Sequence, residues 1–85
     1  MKLGVEISMY PLHEDYKTTI LAFIKQLNQY PDLYVSTTQT STVICGEYDQ
    51  VMGIMQKEMK QAFGQVDQAV FVCKFLNADS IEFTD

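Results

Sequence analysis

The feature that most constrains the fold is the order in which strand-like and helix-like hydrophobic spacings follow one another. Alternating apolar and polar residues predict a strand at 3–10, a composition rich in Thr, Val, Ile and Tyr predicts a hairpin of strands at 33–38 and 42–46, and a run that is apolar on both faces predicts a strand at 68–76. Apolar residues at helical spacing predict helices at 15–30 and 50–63. This β-α-β-β-α-β order predicts an α+β, ferredoxin-like sandwich. Two right-handed crossovers then place both helices on one face of a four-stranded, antiparallel-rich sheet with strands one and three at its centre.

A chain of 85 residues suits one domain. We place that domain at residues 1–78 and a polar C-terminal tail at 79–85, in which Ile81 and Phe83 could pack or add a short strand. Asp49 is the predicted N-cap of the second helix, and Gly64 is its predicted C′ residue.

The charged residues of the chain argue against nucleic acids and phosphorylated compounds as ligands. The net charge at pH 7 is −5, and the sequence contains no arginine. Nucleic acids require a basic surface, so we predict no nucleic-acid partner. Arginine is the usual bidentate partner of phosphate, so phosphorylated ligands are disfavoured and a neutral or cationic small molecule is favoured.

Nothing in the sequence predicts export or a membrane span. The first ten residues lack the apolar stretch of a signal peptide, and no run approaches the roughly 18 apolar residues of a membrane span. We therefore expect a cytoplasmic location and no membrane insertion. Cys45 and Cys73 fall in predicted strands on either side of strand one. They should lie about 9–10 Å apart, further than a disulfide reaches, so we predict two free thiols.

The sheet face that the helices leave open has a mixed predicted composition. Assigning strand residues by alternation places these apolar side chains there: Tyr10, Tyr34, Ile44, Val70, Val72 and Leu76. The polar side chains assigned to the same face are Glu6, Ser8, Ser36, Thr38, Thr42 and Lys74. An apolar patch of this size on a small chain usually marks a binding surface. We therefore predict a homodimer or homotetramer that assembles through the open face.

The most distinctive polar segment is the run of hydroxyls and one amide at 36–42. Such groups orient a small polar heterocycle in an otherwise apolar pocket, although β-propensity and a polar hairpin tip explain the run equally well. Glu6 could offset a ligand cation or accept an exocyclic amine, or simply pair with Lys74. Tyr10 and Tyr34 could stack on a flat ring or hold a cation.

The sequence shows no catalytic constellation and no metal-ligand spacing. His13 is the only histidine and lies in a predicted loop between strand one and the first helix. Neither cysteine belongs to a CxxC motif. We therefore assign no catalytic residue and no metal ligand, and we expect the protein not to be an enzyme.

Two short motifs resemble those of a known family. Ser8-Met9-Tyr10-Pro11 ends strand one, and the segment STVICGEYDQV at 41–51 runs through strand three into the second helix. Together they resemble the YkoF-like thiamine- and hydroxymethylpyrimidine-binding domains. The resemblance implies a ferredoxin-like domain that binds the pyrimidine part of thiamine without chemistry and serves thiamine salvage or transport. It also implies assembly of single domains into dimers or tetramers.

By position, the resemblance carries over Ser8, Tyr10, Ser41, Thr42 and Gly46. Adding the candidates taken from the residues themselves gives these predicted ligand-binding residues: Glu6, Ser8, Tyr10, Tyr34, Thr38, Ser41, Thr42 and Gly46. The predicted function is non-enzymatic binding of thiamine or its hydroxymethylpyrimidine moiety, with no cofactor. The alternative is an oligomeric regulatory or structural module of ferredoxin-like form that binds another small metabolite.

Overall fold

The computed structural model describes residues 1–82, so the predicted packing of Phe83 lies outside it. Its elements are β1 (Lys2–Pro11), α1 (Tyr16–Leu27), β2 (Tyr34–Thr37), β3 (Thr42–Glu47), α2 (Tyr48–Gln65) and β4 (Ala69–Asn77). The sheet order is β2-β3-β1-β4, and every neighbouring pair is antiparallel. The predicted ferredoxin-like fold, with β1 and β3 at the centre of the sheet, is therefore confirmed.

The core lies between the sheet and the two helices. The alternation of β1 turns Leu3, Val5 and Ile7 toward the helices, where all three are buried. The helices contribute the apolar stripes that their spacing predicted, from which these residues are buried: Phe23, Leu27, Val51, Ile54, Met55 and Ala62. Each of these side chains larger than alanine contributes roughly 1.5–3 kcal/mol through its burial, so this one layer dominates the stability of the fold.

The second helix begins and ends differently from the prediction. Glu47, not Asp49, is the N-cap, because its carboxylate accepts a hydrogen bond of 2.9 Å from the Gln50 amide. This bond, with a second from the Asp49 amide, lowers the pKa of the Glu47 carboxyl. Asp49 lies in the first turn, where the helix dipole also favours an acid. Gly64 was wrongly predicted as the C′ residue, since α2 continues to Gln65.

The β2–β3 hairpin corrects the predicted face of strand three. Thr37 pairs with Thr42, which leaves a four-residue tip at 38–41 instead of the predicted three residues Gln39–Ser41. A register change of one residue exchanges the two faces of a strand. Thr42 and Ile44 consequently face the helices, opposite Ile7 and Val5, and their predicted position on the open face was wrong. Thr38 belongs to the tip and not to a strand face.

The rest of the open face agrees with the prediction. Tyr34 and Ser36 alternate with core-facing Val35 in β2. Along β4, the core-facing positions are taken by Phe71 and Cys73. The residues between and beyond them point the other way, namely Val70, Val72, Lys74 and Leu76. The open face of β4 is therefore mostly apolar.

The two cysteines are free, as predicted. Cys45 is buried on the open-face side of β3, opposite Gly4, whereas Cys73 is half-buried on the core side of β4, opposite Ile7. Burial raises the pKa of the Cys73 thiol. The two thiols thus lie on strands separated by β1 and on different faces of the sheet.

The chain remains tied to the sheet beyond β4. The Ala78 amide donates to the Lys2 carbonyl at 3.0 Å, and the Lys2 amide donates to Oδ1 of Asp79 at 2.6 Å. Ala78 is fully buried. Neither helix in residues 1–82 has the combination of length and apolarity that crossing a membrane requires.

Candidate functional site

A cleft of about 450 Å³ opens at one end of the sandwich, on the helix side of the sheet. It lies between the last residues of β1, the first turns of α1 and the β2–β3 hairpin. Its lining residues are Ile7, Met9, Tyr10, Pro11, Leu12, Tyr16, Ile20, Phe23, Ile24, Thr37, Thr38, Gln39, Thr40, Ser41 and Thr42. This volume is within the usual range of small-molecule sites, roughly 300–1,000 Å³.

The cleft has an apolar floor and an aromatic mouth. Ile7, Phe23 and Thr42 are buried and form its deepest part. Tyr10 and Tyr16 are 53% and 46% exposed at the rim. Exposed aromatic rings beside a buried apolar floor are suited to a flat ligand that covers the rings as it enters.

The main polar feature beside the floor is a pair of threonine hydroxyls, of which Thr42 is buried and Thr37 is exposed. Thr37 and Thr42 are the last paired residues of β2 and β3, so their side chains share one face of the sheet. Their Oγ1 atoms lie 3.2 Å apart, and Thr42 is only 5% exposed. One hydrogen bond between two hydroxyls consumes one of their two hydrogens. The pair therefore keeps one hydrogen to donate and has lone pairs to accept.

The hydroxyl of Thr38 holds the hairpin tip together. It accepts hydrogen bonds from the amides of Thr40 (3.3 Å) and Ser41 (3.2 Å), and it lies 3.2 Å from the Ser41 carbonyl, to which it donates. The backbone adds a bond of 2.8 Å from the Thr38 amide to the same carbonyl. Threonine commonly closes turns in this way. Thr38 therefore shapes the wall of the cleft, with its hydroxyl already engaged.

Ser8 attaches this tip to the central strand. Its hydroxyl donates to the Thr40 carbonyl at 3.3 Å, although Ser8 itself does not line the cleft. The tip is therefore held from two directions, by its own turn and by β1.

The cleft is electrically neutral. None of the residues within 1–82 that line it carries a formal charge, and no arginine exists anywhere in the chain to reach it. His13, in the loop beside the mouth, has its Nε2 atom 2.9 Å from the Thr19 hydroxyl. Two acids, Glu14 and Asp15, precede α1 at the same end of the molecule. An anion bound in the cleft would find no opposite charge among the lining residues.

The sequence profile of the YKOF-related family matches residues 2–80, which is nearly the whole chain. The chain belongs to this family. The two motifs at 8–11 and 41–51 that suggested the family both contribute residues to the cleft.

Solved structures with the same fold come from several organisms. A Thermotoga maritima protein, assigned provisionally to thiamine biosynthesis or salvage, matches with a TM-score of 0.81 at 16% identity, covering 92% of this chain and 85% of that one. A hypothetical protein of Methanocaldococcus jannascii matches with a TM-score of 0.79 at 25% identity, covering 98% and 87%. A Streptococcus pneumoniae protein matches with a TM-score of 0.79 at 20% identity, covering 95% and 91%. No curated protein sequence matches the chain significantly.

Within this YkoF-related domain, the structure divides the eight predicted site residues into two groups. Four of them line the cleft: Tyr10, Thr38, Ser41 and Thr42. The other four lie elsewhere: Glu6, Ser8, Tyr34 and Gly46. Glu6 and Tyr34 are on the open face of the sheet, and the Glu6 carboxylate lies 3.6 Å from the Lys74 ammonium. This is the ion pair that offered the simpler explanation of Glu6.

Gly46 lies on the helix side of β3, where α2 approaches the sheet closely. A Cβ atom at this position would come within 3.3 Å of Cγ2 of Val51 and 3.5 Å of Cδ1 of Leu33. The packing of α2 against β3 therefore accounts for this glycine.

Sequence reasoning missed three residues of the YkoF-related cleft. Thr37 was not chosen because its closeness to Thr42 depends on the hairpin register. Tyr16 was not chosen, because helical spacing alone does not show that it lies at the mouth of the cleft. Gln39 lay in the polar segment but had no signal that separated it from an ordinary loop residue.

Proposed function

We propose that this chain binds thiamine or its hydroxymethylpyrimidine moiety in the cleft, without chemistry and without a cofactor. The observation that carries the proposal is a neutral cleft of about 450 Å³ with an apolar floor and two exposed tyrosines at its mouth. Membership of the YkoF-related family and the fold of the Thermotoga maritima protein support the same ligand. A role in thiamine salvage or transport in the cytoplasm follows from this choice.

The chemistry of thiamine suits the two zones of the cleft. Its pyrimidine is flat and uncharged, which fits an apolar floor with few hydrogen-bonding groups. Its thiazolium is a cation, and the rings of Tyr10 and Tyr16 at the mouth offer faces that attract cations. The net charge of −5 favours the approach of a cationic ligand.

Binding without catalysis is supported by the side chains present. The lining residues include hydroxyls and one amide, but no carboxylate, imidazole, thiol or amine. A serine or threonine nucleophile requires a neighbouring base to activate it. Nothing that lines the cleft supplies that base.

We also propose that the open face joins copies of the chain into a homodimer or homotetramer. Three apolar side chains of this face belong to β4 and are 46–54% exposed: Val70, Val72 and Leu76. These three side chains extend along one side of the sheet. Packing two such faces together would remove this apolar surface from water.

A calorimetric titration with thiamine and with hydroxymethylpyrimidine, on protein of known mass in solution, tests the ligand. We expect saturable binding at about one molecule per chain or per dimer. Ile20→Trp should block the cleft and abolish the heat, whereas Glu6→Gln, on the other side of the sheet, should leave it unchanged. Thermal unfolding of both variants checks that they fold. Absence of heat and of any thermal shift with the unsubstituted protein would contradict the proposal and favour a module that binds another metabolite.

A further inference from the structure

We propose that the cleft accepts only phosphate-free ligands and that the Thr37–Thr42 hydroxyl pair reads the edge of an uncharged ring. This inference rests on the proposed function, because it concerns the same cleft. It adds the class of ligand that is excluded and the two side chains that determine specificity.

The position of the hydroxyl pair allows it to form hydrogen bonds with the edge of a bound ring. Thr42 is 5% exposed among apolar neighbours, so the ligand atom that reaches it has left water. The pair offers one hydrogen and free lone pairs on oxygens 3.2 Å apart. A pyrimidine with a ring nitrogen beside an exocyclic amine presents an acceptor next to a donor at similar spacing. A ring without the amine would lose one of these two hydrogen bonds, because a lone pair of the hydroxyl pair would then have no donor from the ligand.

The other hydroxyls near the floor are less available. That of Thr38 is occupied by two amides and a carbonyl of the hairpin tip, and that of Ser41 lies 3.5 Å from it. The Thr37–Thr42 pair, in contrast, has no other hydrogen-bond partner within residues 1–82. The specificity of the cleft therefore depends mainly on this pair.

Exclusion of phosphate follows from the charges around the cleft. A buried anion needs an opposite charge or several donors to offset its lost hydration, and no lining residue is charged. The first turn of α1 lies at the mouth and has free amides, but Glu14 and Asp15 stand directly before it. Thr18 donates to Oδ1 of Asp15 at 2.7 Å, which holds that carboxylate at the start of the helix. A phosphate there would meet these two acids against one base of the first turn, Lys17, so the charge beside it would remain net negative.

The first experiment compares thiamine with thiamine monophosphate, and hydroxymethylpyrimidine with its monophosphate, by calorimetry at low and high salt. We expect each phosphate ester to bind at least about tenfold more weakly than its parent alcohol at both salt concentrations. Equal affinities would overturn the exclusion. Discrimination that disappears at high salt would also overturn it, because the cause would then be the net charge of the chain and not the cleft.

The second experiment removes the hydroxyls while preserving shape. Thr42→Val and Thr37→Val should each weaken hydroxymethylpyrimidine binding by about tenfold, and Thr42→Ser should restore most of the affinity. The decisive readout is the affinity ratio between hydroxymethylpyrimidine and its analogue without the amine. We expect a large ratio in the unsubstituted protein and a ratio near one in both valine variants. An unchanged ratio in the valine variants would overturn the role of the pair, and the thermal midpoint of each variant shows whether it is folded.

These outcomes separate the two proposals. If none of the four compounds binds, the proposed function fails. If thiamine binds and its phosphate binds equally well, the proposed function stands and the exclusion of phosphate fails.

Discussion

The Tyr30 hydroxyl donates a hydrogen bond of 2.6 Å to Oε2 of Glu58, a residue of α2 that is 3% exposed. Tyr30 follows the end of α1, so this bond connects the two helices across a separation of 28 residues. A carboxylate buried to this degree requires a donor, because burial removes the water that would otherwise solvate it. The pair therefore fixes the position of the segment between α1 and β2 against α2.

Replacing Tyr30 with phenylalanine should destabilise the protein. The change keeps the ring and deletes the donor, leaving the buried Glu58 carboxylate unpaired, and we expect the free energy of unfolding to fall by about 1–3 kcal/mol. Urea unfolding of both proteins measures the difference. Tyr48→Phe is the matched control, because Tyr48 is 41% exposed and its change should stay within about 0.5 kcal/mol. Equal stability of the Tyr30→Phe variant and the unsubstituted protein would refute the role of the bond.

The same pair predicts a specific response to alkaline pH. The hydrogen bond to Glu58, followed by burial and by the charge of that carboxylate, raises the pKa of Tyr30 to about 12. An unfolded tyrosine loses its proton at about 10. The contribution of Tyr30 to stability is therefore complete below about pH 10 and is lost as the pH rises toward 12. The stability gap between the unsubstituted protein and Tyr30→Phe should narrow over this window in urea unfolding, and a constant gap would contradict the assignment.

Two glycine substitutions should have opposite effects on stability. In Gly46→Ala, the new methyl group would press on Val51, which is fully buried and cannot move aside, so we expect a loss of about 1 kcal/mol. In Gly53→Ala, nothing lies within 4 Å of the new methyl group, and a helix interior should gain about 0.5–1 kcal/mol. Thermal and urea unfolding check both. Because neither residue lines the cleft in the described structure, thiamine binding should change in neither variant, and weaker binding by Gly46→Ala alone would return this glycine to the site.

Tyr16→Ala should weaken the binding of thiamine more than the binding of hydroxymethylpyrimidine. The ring of Tyr16 lies at the mouth, where we place the thiazolium, so thiamine binding should weaken by about 0.5–1 kcal/mol. Hydroxymethylpyrimidine has no cation, and its affinity should change less. Leu21→Ala is the control, since Leu21 is 65% exposed on the same helix and does not line the cleft. Equal losses for the two ligands would place the thiazolium elsewhere.

Val72→Lys should disrupt the proposed assembly. Val72 is 54% exposed near the middle of the open face of β4, and a lysine there would have to be buried between two packed sheets. We expect the mass in solution, measured by sedimentation equilibrium, to shift toward the monomer. Leu21→Lys places the same charge on an exposed helix position and should leave the mass unchanged. An unaltered mass for Val72→Lys would show that copies of the chain do not meet through this face.

Sequence alone was sufficient for the faces of the two long strands. Apolar and polar residues alternate in β1, and taking every second residue divided the mostly apolar β4, so that Val5 and Phe71 lie on the core side as predicted. The run of three apolar residues in β3, Val43, Ile44 and Cys45, shows no alternation, because on the open-face side of this central strand Cys45 is buried and Val43 is half-buried as well. Its orientation depended on the length of the hairpin tip, which no Asn-Gly or similar turn signal specified.

The site was predictable in its chemistry and not in its arrangement. Residues of the hydroxyl-rich segment and of the Tyr-Pro motif line the same cleft. Which hydroxyl holds the turn, as in Thr38, and which is buried, as in Thr42, depends on local hydrogen bonds that the residue types do not determine. Tyr16 reaches the mouth because of where α1 begins relative to β1, which is a property of the tertiary structure.

The four-residue hairpin tip has a consequence for how this domain can evolve. Any substitution at 38–41 that still closes the turn keeps Thr37 and Thr42 on the helix side, so these positions can diverge in sequence. A one-residue change of register there would move the edge strand β2, because β3 is also held by its six pairs with β1. Thr37 would then leave its place opposite Thr42, and the cleft would lose the hydroxyl pair while Ile44 stayed in the core.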